Sequence, residues 1–258
     1  MQGDEGEHMS DTALVVMARY PEAGKTKTRL ARTIGQAEAA NLYQAFLTDL
    51  ATRFVNLNCD LHWAYTPANV DYQTFITALV PYQTQQMWSF PQQGADFAER
   101  LHHAFQWAEQ HGFQRTIVIS SDSPHIRPEM ITRAIEALEH ADVVLGPADD
   151  GGYYLLAMHK AYDVFSGIPM STAVVAQMTI EAAQRRGLKV HLLDSLFDID
   201  ELPDLQRLAR LLETDSTLAP TTATYLTTMR SLHDHNAADT HDYDAETRAT
   251  TFDLHRAN

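Results

Sequence analysis

The feature that most constrains the fold is an apolar run, Thr116-Ile117-Val118-Ile119, which leads into Ser120-Ser121-Asp122-Ser123-Pro124. A short β-branched run bounded by turn residues is typical of a strand buried on both faces, and such strands belong to parallel sheets covered by helices on both sides. Asp122 therefore follows the C-terminal end of a strand, where open α/β sheets bind their ligands. The alternative at this point is that Asp122 starts a turn or caps the helix after Pro128.

Length and composition favour a single large domain. The chain has 258 residues, 45% of them hydrophobic, which is enough for one α/β domain with a full core. No stretch approaches the roughly 20 consecutive apolar residues of a membrane span. Residues 1–12 form an acidic extension without the order of a signal peptide, and the single cysteine, Cys59, fits a reducing compartment. We therefore expect a cytoplasmic protein that does not bind membranes.

Positive charge is scarce overall but concentrated near the N-terminus. The formal net charge is -15, from 19 Lys and Arg against 34 Asp and Glu, so general binding of nucleic acid is not expected. After a predicted strand at 13–18, a basic loop at residues 19–29 carries Arg19, Lys25, Lys27 and Arg29, with Gly24 at its turn. Such a loop can hold a di- or triphosphate at the edge of the sheet. The alternative is a solvated basic helix face.

Acidic residues follow two later predicted strands. Asp149-Asp150-Gly151-Gly152 lies between apolar runs at 142–146 and 153–158, where the glycines suit a tight turn that exposes its backbone. Asp198 and Asp200 follow a strand at 189–193, and their alternation puts both on one face, where they could bind one hard cation. A plain hairpin turn and a helix N-terminal acid cluster remain alternatives.

Two helix N-termini could also face the crevice. Asp96 and Glu99 match a capping box, and Arg100 on the first turn of that helix could point toward the ligand. Ser171 opens a later helix, where its hydroxyl is an N-cap or part of an anion site. Further strands are expected at 60–65 and 83–90. The domain is expected to extend over 13–232, and the polar segment 233–258 is expected to be a mobile or loosely docked tail.

Several motifs together carry a resemblance to a known family. They are Met17-Ala18-Arg19-Tyr20-Pro21 with Gly24 and Lys27-Thr28-Arg29-Leu30-Ala31, Ser121-Asp122-Ser123-Pro124, Gly146-Pro147-Ala148-Asp149-Asp150-Gly151-Gly152-Tyr153-Tyr154, and Asp198-Ile199-Asp200. In this order, over roughly residues 13 to 212, the chain resembles the glycosyltransferase-like "transferase 1" family associated with radical-SAM and selenodomain proteins, within the nucleotide-diphospho-sugar transferase superfamily. More distantly, it is similar to the phospholactate and molybdopterin guanylyltransferases.

The resemblance implies a fold and a set of ligands. The fold would be a single Rossmann-like three-layer α/β domain whose sheet is mostly parallel with one antiparallel strand. A divalent metal, magnesium or manganese, would be bound by Asp122, Asp198 and Asp200, and the basic loop would hold the phosphates of a nucleotide or nucleotide-sugar donor. The chain departs from the family pattern at Arg19, Ser123 and Met170, which bears mainly on the site for a small-molecule acceptor.

Three functions follow from these residues as hypotheses. In a glycosyltransferase, metal and cations would stabilise a departing nucleoside diphosphate while Asp149 or Asp150 takes the proton of the acceptor hydroxyl. In a nucleotidyltransferase, the same groups would align an acceptor phosphate with a nucleoside triphosphate, and pyrophosphate would leave. A nucleotide-binding protein without catalysis is the third. The two acids before Gly151 favour sugar transfer.

Overall fold

The computed structural model describes residues 10–83, 86–170 and 172–229. Most of the acidic extension, the expected tail at 233–258 and the expected helix-capping residue Ser171 therefore lie outside the described residues. The predictions for the extension and the tail stay predictions, whereas the helix expected to open at Ser171 begins at Val175 with Val174 at its N-cap, so the expected cap at Ser171 is wrong.

Strands and helices alternate along most of the described chain. The strands are β1 (Thr12–Arg19), β2 (Asp60–Thr66), β3 (Trp88–Pro91), β4 (Arg115–Ser120), β5 (Val143–Pro147), β6 (Tyr153–Met158) and β7 (Val190–Leu192). The helices are α1 (Thr28–Ile34), α2 (Gln36–Phe54), α3 (Tyr72–Leu79), α4 (Phe97–Gln110), α5 (Pro128–Leu138), α6 (Val175–Arg185) and α7 (Leu202–Thr214), followed by a 3-10 turn at Ser216–Leu218 and a helical stretch over 220–229. No helix in the described part of the chain is long and apolar enough to cross a membrane.

The strands form one sheet in the order β3-β2-β1-β4-β6-β5-β7. All neighbouring pairs are parallel except the two that involve β6, which runs antiparallel to both β4 and β5. This confirms the expected α/β fold with one antiparallel strand. The expected strand at 83–90 begins only at Trp88, because Gln83 closes a turn through its N–H to the carbonyl of Val80.

The core has two halves, one on each face of the sheet. In β1, Leu14 and Val16 point to one side and Ala13 and Val15 to the other, as the two-residue repeat of a strand requires. Helices α1, α2, α3, α5 and α7 cover the first face, while α4 and α6 cover the second. The arrangement is the expected three-layer domain.

The topology brings distant loops to one edge of the sheet. Because β1 and β4 are parallel neighbours, the basic loop after Arg19 and the loop after Ser120 leave the sheet side by side. Strand β6 runs the other way, so the turn that joins β5 to β6 lies at this same edge. The acidic turn at 148–152 therefore faces the basic loop although the sheet is not wholly parallel.

A partly buried arginine, Arg53, fixes the segment that follows Asp122. The guanidinium of Arg53 on α2 donates hydrogen bonds to the backbone carbonyls of Pro124 (2.5 Å), Ile126 (2.7 Å) and Leu218. Burial lowers the pKa of Arg53, and the nearby Asp49 opposes that effect. One side chain thus ties the loop after β4 to the C-terminal part of the described chain.

Candidate functional site

A cleft of about 820 Å³ lies at the C-terminal edge of the central strands. It brings together the basic loop and four carboxylates from three separate loops. The residues that line it and that were expected to act there are Arg19, Lys25, Lys27, Arg29, Arg100, Asp122, Asp150, Gly152, Asp198 and Asp200. Cations and acids predicted from separate strand ends therefore meet in one place.

Lys27 joins the two charged groups of the cleft. Its Nζ lies 2.6 Å from Oδ1 of Asp122 and 3.2 Å from Oδ1 of Asp200, and only 6% of its side chain is exposed. Burial alone would lower the pKa of this ammonium, but Asp122 and Asp200 outweigh it and the pKa is raised. Lys27 also has left-handed backbone angles (φ 47°, ψ 49°) at the start of α1. Non-glycine residues adopt this conformation at a cost, and such residues are frequent at functional sites.

The other cations of the basic loop are more exposed. Lys25 is 66% exposed and pairs with Glu22 at 2.9 Å, whereas NH1 of Arg29 lies 3.6 Å from Oδ2 of Asp200. The loop is held by the buried Thr26, whose hydroxyl donates to the carbonyl of Tyr20 (3.2 Å) and accepts from the N–H of Glu22 (2.9 Å). The loop is thus folded internally while Lys25 and Arg29 keep exposed side chains that an anion can reach.

Asp122 and the Asp198–Asp200 segment are held together by backbone contacts. The N–H of Ile199 donates to the carbonyl of Asp122 (3.0 Å), and the hydroxyl of the buried Ser123 donates to the carbonyl of Phe197 (2.9 Å). The N–H of Asp122 in turn donates to Oγ of Ser120 (3.0 Å). These bonds explain why carboxylates more than seventy residues apart in sequence converge.

The acids of the cleft repel one another. Burial, together with the negative charges of Asp150 and Asp200, raises the pKa of the Asp198 carboxyl to about 6. The charge of Lys27 opposes this effect, and a further cation close to Asp198 would favour its anionic form.

The two adjacent acids of the turn have different surroundings. Oδ1 of Asp150 accepts the N–H of Gly152 (2.8 Å), and Asp150 lines the cleft. Oδ2 of Asp149 instead lies 2.7 Å from NH1 of Arg207 on α7, and Asp149 is not among the described residues that line the cleft. The sequence left open which acid faces the substrate, and the structure brings Asp150, not Asp149, to the cleft.

Two glycines expected to bind the ligand serve the fold of their turns. Gly24 (φ +79°) and Gly151 (φ +90°) are not among the described cleft residues. A Cβ on Gly151 would lie 2.1 Å from the carbonyl oxygen of Ala173, and the carbonyl of Gly151 accepts the N–H of Ala176 (2.9 Å). The acidic turn therefore packs directly against the start of α6. Only glycine fits there.

A buried tyrosine connects the two charged loops, and sequence patterns did not reveal it. The hydroxyl of Tyr43 on α2 accepts the N–H of Arg19 (3.0 Å) and lies 2.7 Å from Oγ of Ser121. Because the single hydroxyl proton of Ser121 goes to the carbonyl of Met17 (2.8 Å), Tyr43 is the donor to Ser121. Burial and the charge of Asp122 raise the pKa of Tyr43 to about 12, so the phenol keeps its proton. In the sequence, Tyr43 lies between the apolar helix positions Leu42 and Phe46, a pattern that indicates only core packing.

Comparison with known proteins places the chain in a family. A model for a family described as uncharacterised proteins conserved in bacteria (DUF2064) matches residues 51–172. A crystal structure from Desulfovibrio desulfuricans G20, of a protein provisionally assigned as a nucleotide-diphospho-sugar transferase, is 36% identical with a TM-score of 0.79, over 87% of this chain and 97% of that chain. The chain belongs to the nucleotide-diphospho-sugar transferase superfamily. The interpretation of this protein as a transferase is thereby confirmed.

More distant structures share the fold of this transferase. A cytidylyltransferase from Leptospira borgpetersenii serovar Hardjo-bovis is 10% identical with a TM-score of 0.53, over 87% of this chain and 96% of that chain. The 4-diphosphocytidyl-2C-methyl-D-erythritol synthase from Anaerococcus prevotii is 9% identical with a TM-score of 0.51, over 79% and 100% of the two chains. No curated protein sequence matches the transferase.

The carboxylates of this transferase are of the chemical type that binds a divalent metal, but their positions in the structure do not form a metal site. Asp122, Asp198 and Asp200 present the oxygen ligands that magnesium and manganese prefer. Within the described ranges, however, no three or more His, Cys, Asp or Glu side chains are grouped closely enough to hold a metal ion. The ammonium of Lys27 lies between two of the three expected ligands.

Arg100, on the first turn of α4, also lines the cleft. Its guanidinium carbon is 5.9 Å from the centre of the Phe97 ring, and its buried Nε has no hydrogen-bond partner among the described residues. A buried donor without a partner costs free energy, which a ligand oxygen would recover. Arg100 stays a predicted ligand-binding residue.

Proposed function

We propose that this protein is a metal-dependent glycosyltransferase that moves a sugar from a nucleotide-diphospho-sugar to a hydroxyl of a small acceptor. The observation that carries the proposal is that one acid of the 148–152 turn, Asp150, lines the same cleft as the basic loop. Sugar transfer needs both groups, because a diphosphate leaves while a hydroxyl loses its proton.

The basic loop is suited to the diphosphate. Lys25, Lys27 and Arg29 line the cleft within five residues of sequence, and charge-assisted hydrogen bonds from such groups to phosphate oxygens are about twice as strong as neutral ones. These cations bind the donor and offset the negative charge that grows on the leaving nucleoside diphosphate.

The expected metal would be held by Asp122, Asp198 and Asp200. When bound, magnesium or manganese neutralises charge on the phosphates of the donor. The raised pKa of Asp198, which comes from burial and from the charges of Asp150 and Asp200, supports this assignment because a further cation at this place would be favoured.

Asp150 is the proposed general base. It would accept the proton of the acceptor hydroxyl as that oxygen attacks the sugar, and the hydrogen bond from the N–H of Gly152 to Oδ1 orients the carboxylate. Asp149 is held by Arg207 and is not assigned a catalytic role.

Nucleotidyl transfer is the second candidate, because the dense charge of the basic loop suits a triphosphate equally well. In that reaction a phosphorylated acceptor attacks the α-phosphorus and pyrophosphate leaves, so no general base is required. Asp150 would then have no chemical role.

The leaving group distinguishes the two reactions. The protein is incubated with magnesium and a panel of nucleotide-sugars and nucleoside triphosphates, and the released nucleotide or pyrophosphate is identified. Release of a nucleoside diphosphate supports glycosyl transfer, whereas pyrophosphate release refutes it. Turnover that survives complete chelation of divalent metal would refute the metal dependence. A protein that binds nucleotide but turns over no donor would be a nucleotide-binding protein without catalysis.

A further inference from the structure

Lys27 lies where the proposed metal would have to bind. Its Nζ contacts Oδ1 of Asp122 at 2.6 Å and Oδ1 of Asp200 at 3.2 Å. These oxygens belong to two of the three carboxylates expected to bind the metal. A divalent cation takes carboxylate oxygens at about 2.0 to 2.6 Å, so a metal on these two carboxylates would lie close to the ammonium, and the two positive charges would repel each other.

The position of Lys27 is built into the fold. The side chain is 6% exposed, compared with 66% for Lys25 two residues earlier in the same loop. The backbone of Lys27 adopts left-handed angles at the first position before α1, which a lysine adopts only when its surroundings compensate for the cost.

We propose that Lys27 is an internal counter-ion that competes with the divalent metal for Asp122 and Asp200. In the ligand-free protein its ammonium keeps the two carboxylates together. Metal binding displaces it into the open cleft, where it becomes available to the phosphates of the donor. Lys27 thus weakens metal binding and couples it to donor binding.

The inference rests on the metal dependence of the proposed function, but it concerns metal binding rather than turnover. By linkage, an internal competitor lowers the affinity of the ligand that it opposes. Removing the ammonium without removing a carboxylate should therefore tighten metal binding. Removing another cation of the same loop, one that pairs with a different acid, should not tighten metal binding.

The first test measures manganese alone, without nucleotide, by titration calorimetry and by electron paramagnetic resonance of free Mn²⁺. Lys27→Gln removes the competing charge, and Lys25→Met is the matched control because Lys25 pairs with Glu22 at the surface. We expect Lys27→Gln to bind Mn²⁺ about tenfold more tightly than the parent, within the range of about 5- to 150-fold usual for coupled sites. Lys25→Met should stay close to the parent. Equal or weaker binding by a folded Lys27→Gln, or equal tightening in both variants, would refute the inference.

The second test uses the unaltered protein, so it does not depend on the folding of a variant. Lysine side chains are labelled with a short pulse of an amine-reactive reagent, with and without saturating Mn²⁺. Cleavage after glutamate gives a peptide of residues 23–38 that contains both Lys25 and Lys27. Lys25 should react in both conditions, while Lys27 should react slowly alone and several-fold faster with Mn²⁺. Unchanged protection of Lys27 at saturation would show that it stays between the acids, and the inference would be wrong.

Failure of this inference is distinct from failure of the proposed function. If neither the parent nor Lys27→Gln binds Mn²⁺ at millimolar concentration, the competition does not exist, whatever the donor experiment shows. If Lys27→Gln binds Mn²⁺ more tightly but no nucleotide-sugar is turned over, the competition stands and sugar transfer is refuted.

Discussion

Replacing Tyr43 by phenylalanine tests whether the two charged loops are held together through one buried hydroxyl. The substitution keeps the ring, which is 2% exposed, and removes only the oxygen that accepts from the N–H of Arg19 and donates to Ser121. After the change the N–H of Arg19 has lost its acceptor, and Oγ of Ser121 has lost a donor while it still donates to Met17.

The magnitude follows from these two lost hydrogen bonds. A buried hydrogen bond contributes about 0.5 to 1.5 kcal/mol, and a donor left without a partner costs about 1 to 3 kcal/mol. We therefore expect the free energy of unfolding to fall by about 1 to 3 kcal/mol. With a urea m-value of about 2 kcal/mol per molar, the midpoint should move down by roughly 0.5 to 1.5 M.

Urea denaturation followed by circular dichroism measures this change, with Tyr82→Phe as the matched control because Tyr82 is 96% exposed. The control should unfold at the parental midpoint. Turnover by Tyr43→Phe should also fall, since the basic loop and the loop of Asp122 lose their link. A parental midpoint for Tyr43→Phe would refute the proposed role of the hydroxyl.

Three further predictions can be tested with single substitutions. Gly151→Ala should lower the free energy of unfolding by more than about 2 kcal/mol, because the new Cβ would meet a backbone carbonyl at 2.1 Å. Thermal melting measures this change. The control Gly167→Ala, with a similar φ of +78° and open space around it, should lose only about 1 kcal/mol. Asp150→Asn should reduce kcat by about a hundredfold or more, while Asp149→Asn should change it little; equal losses would contradict the assignment of the base. Burial lowers the pKa of His125 from 6.5 to about 4. The unfolded chain therefore binds the proton more readily than the folded protein does. The free energy of unfolding should fall by up to about 3 kcal/mol as the pH falls from about 6.5 to 4. Urea titrations at pH 7.5 and 5 should show a smaller loss for His125→Phe than for the parent, and an equal loss would contradict it.

The strands were the most predictable part of the structure. Runs such as 116–119 and 153–158 are too apolar and too short for anything but buried strands, and their ends defined the edge where the charged loops meet. The convergence of Asp122 with the 198–200 segment could be expected because both follow strands of one sheet. The family resemblance implied one antiparallel strand without saying which one, because periodicity does not tell parallel from antiparallel strands. The structure shows that this strand is β6.

The finer features of the site depend on contacts that no local pattern encodes. Asp149 and Asp150 are adjacent residues of the same type, so the sequence does not distinguish them. In the structure they are distinguished by the ion pair of Asp149 with Arg207, which lies far along the chain. The pairing of Lys27 with two carboxylates depends on a left-handed backbone angle that lysine rarely adopts. Tyr43 has the spacing of a core residue, and nothing in that spacing reports the partners of its hydroxyl.

The reversed strand β6 has a consequence for how this cleft can change during evolution. Both strands of the β5–β6 hairpin are anchored in the middle of the sheet, while the turn between them, at 148–152, opens into the cleft. We expect substitutions in this turn to reshape the proposed acceptor side with little effect on β5 and β6, so long as Gly151, which abuts α6, and Asp150, the proposed base, are kept. A new acceptor specificity is therefore within reach of a few mutations that leave the donor side, on the strands across the sheet, unchanged.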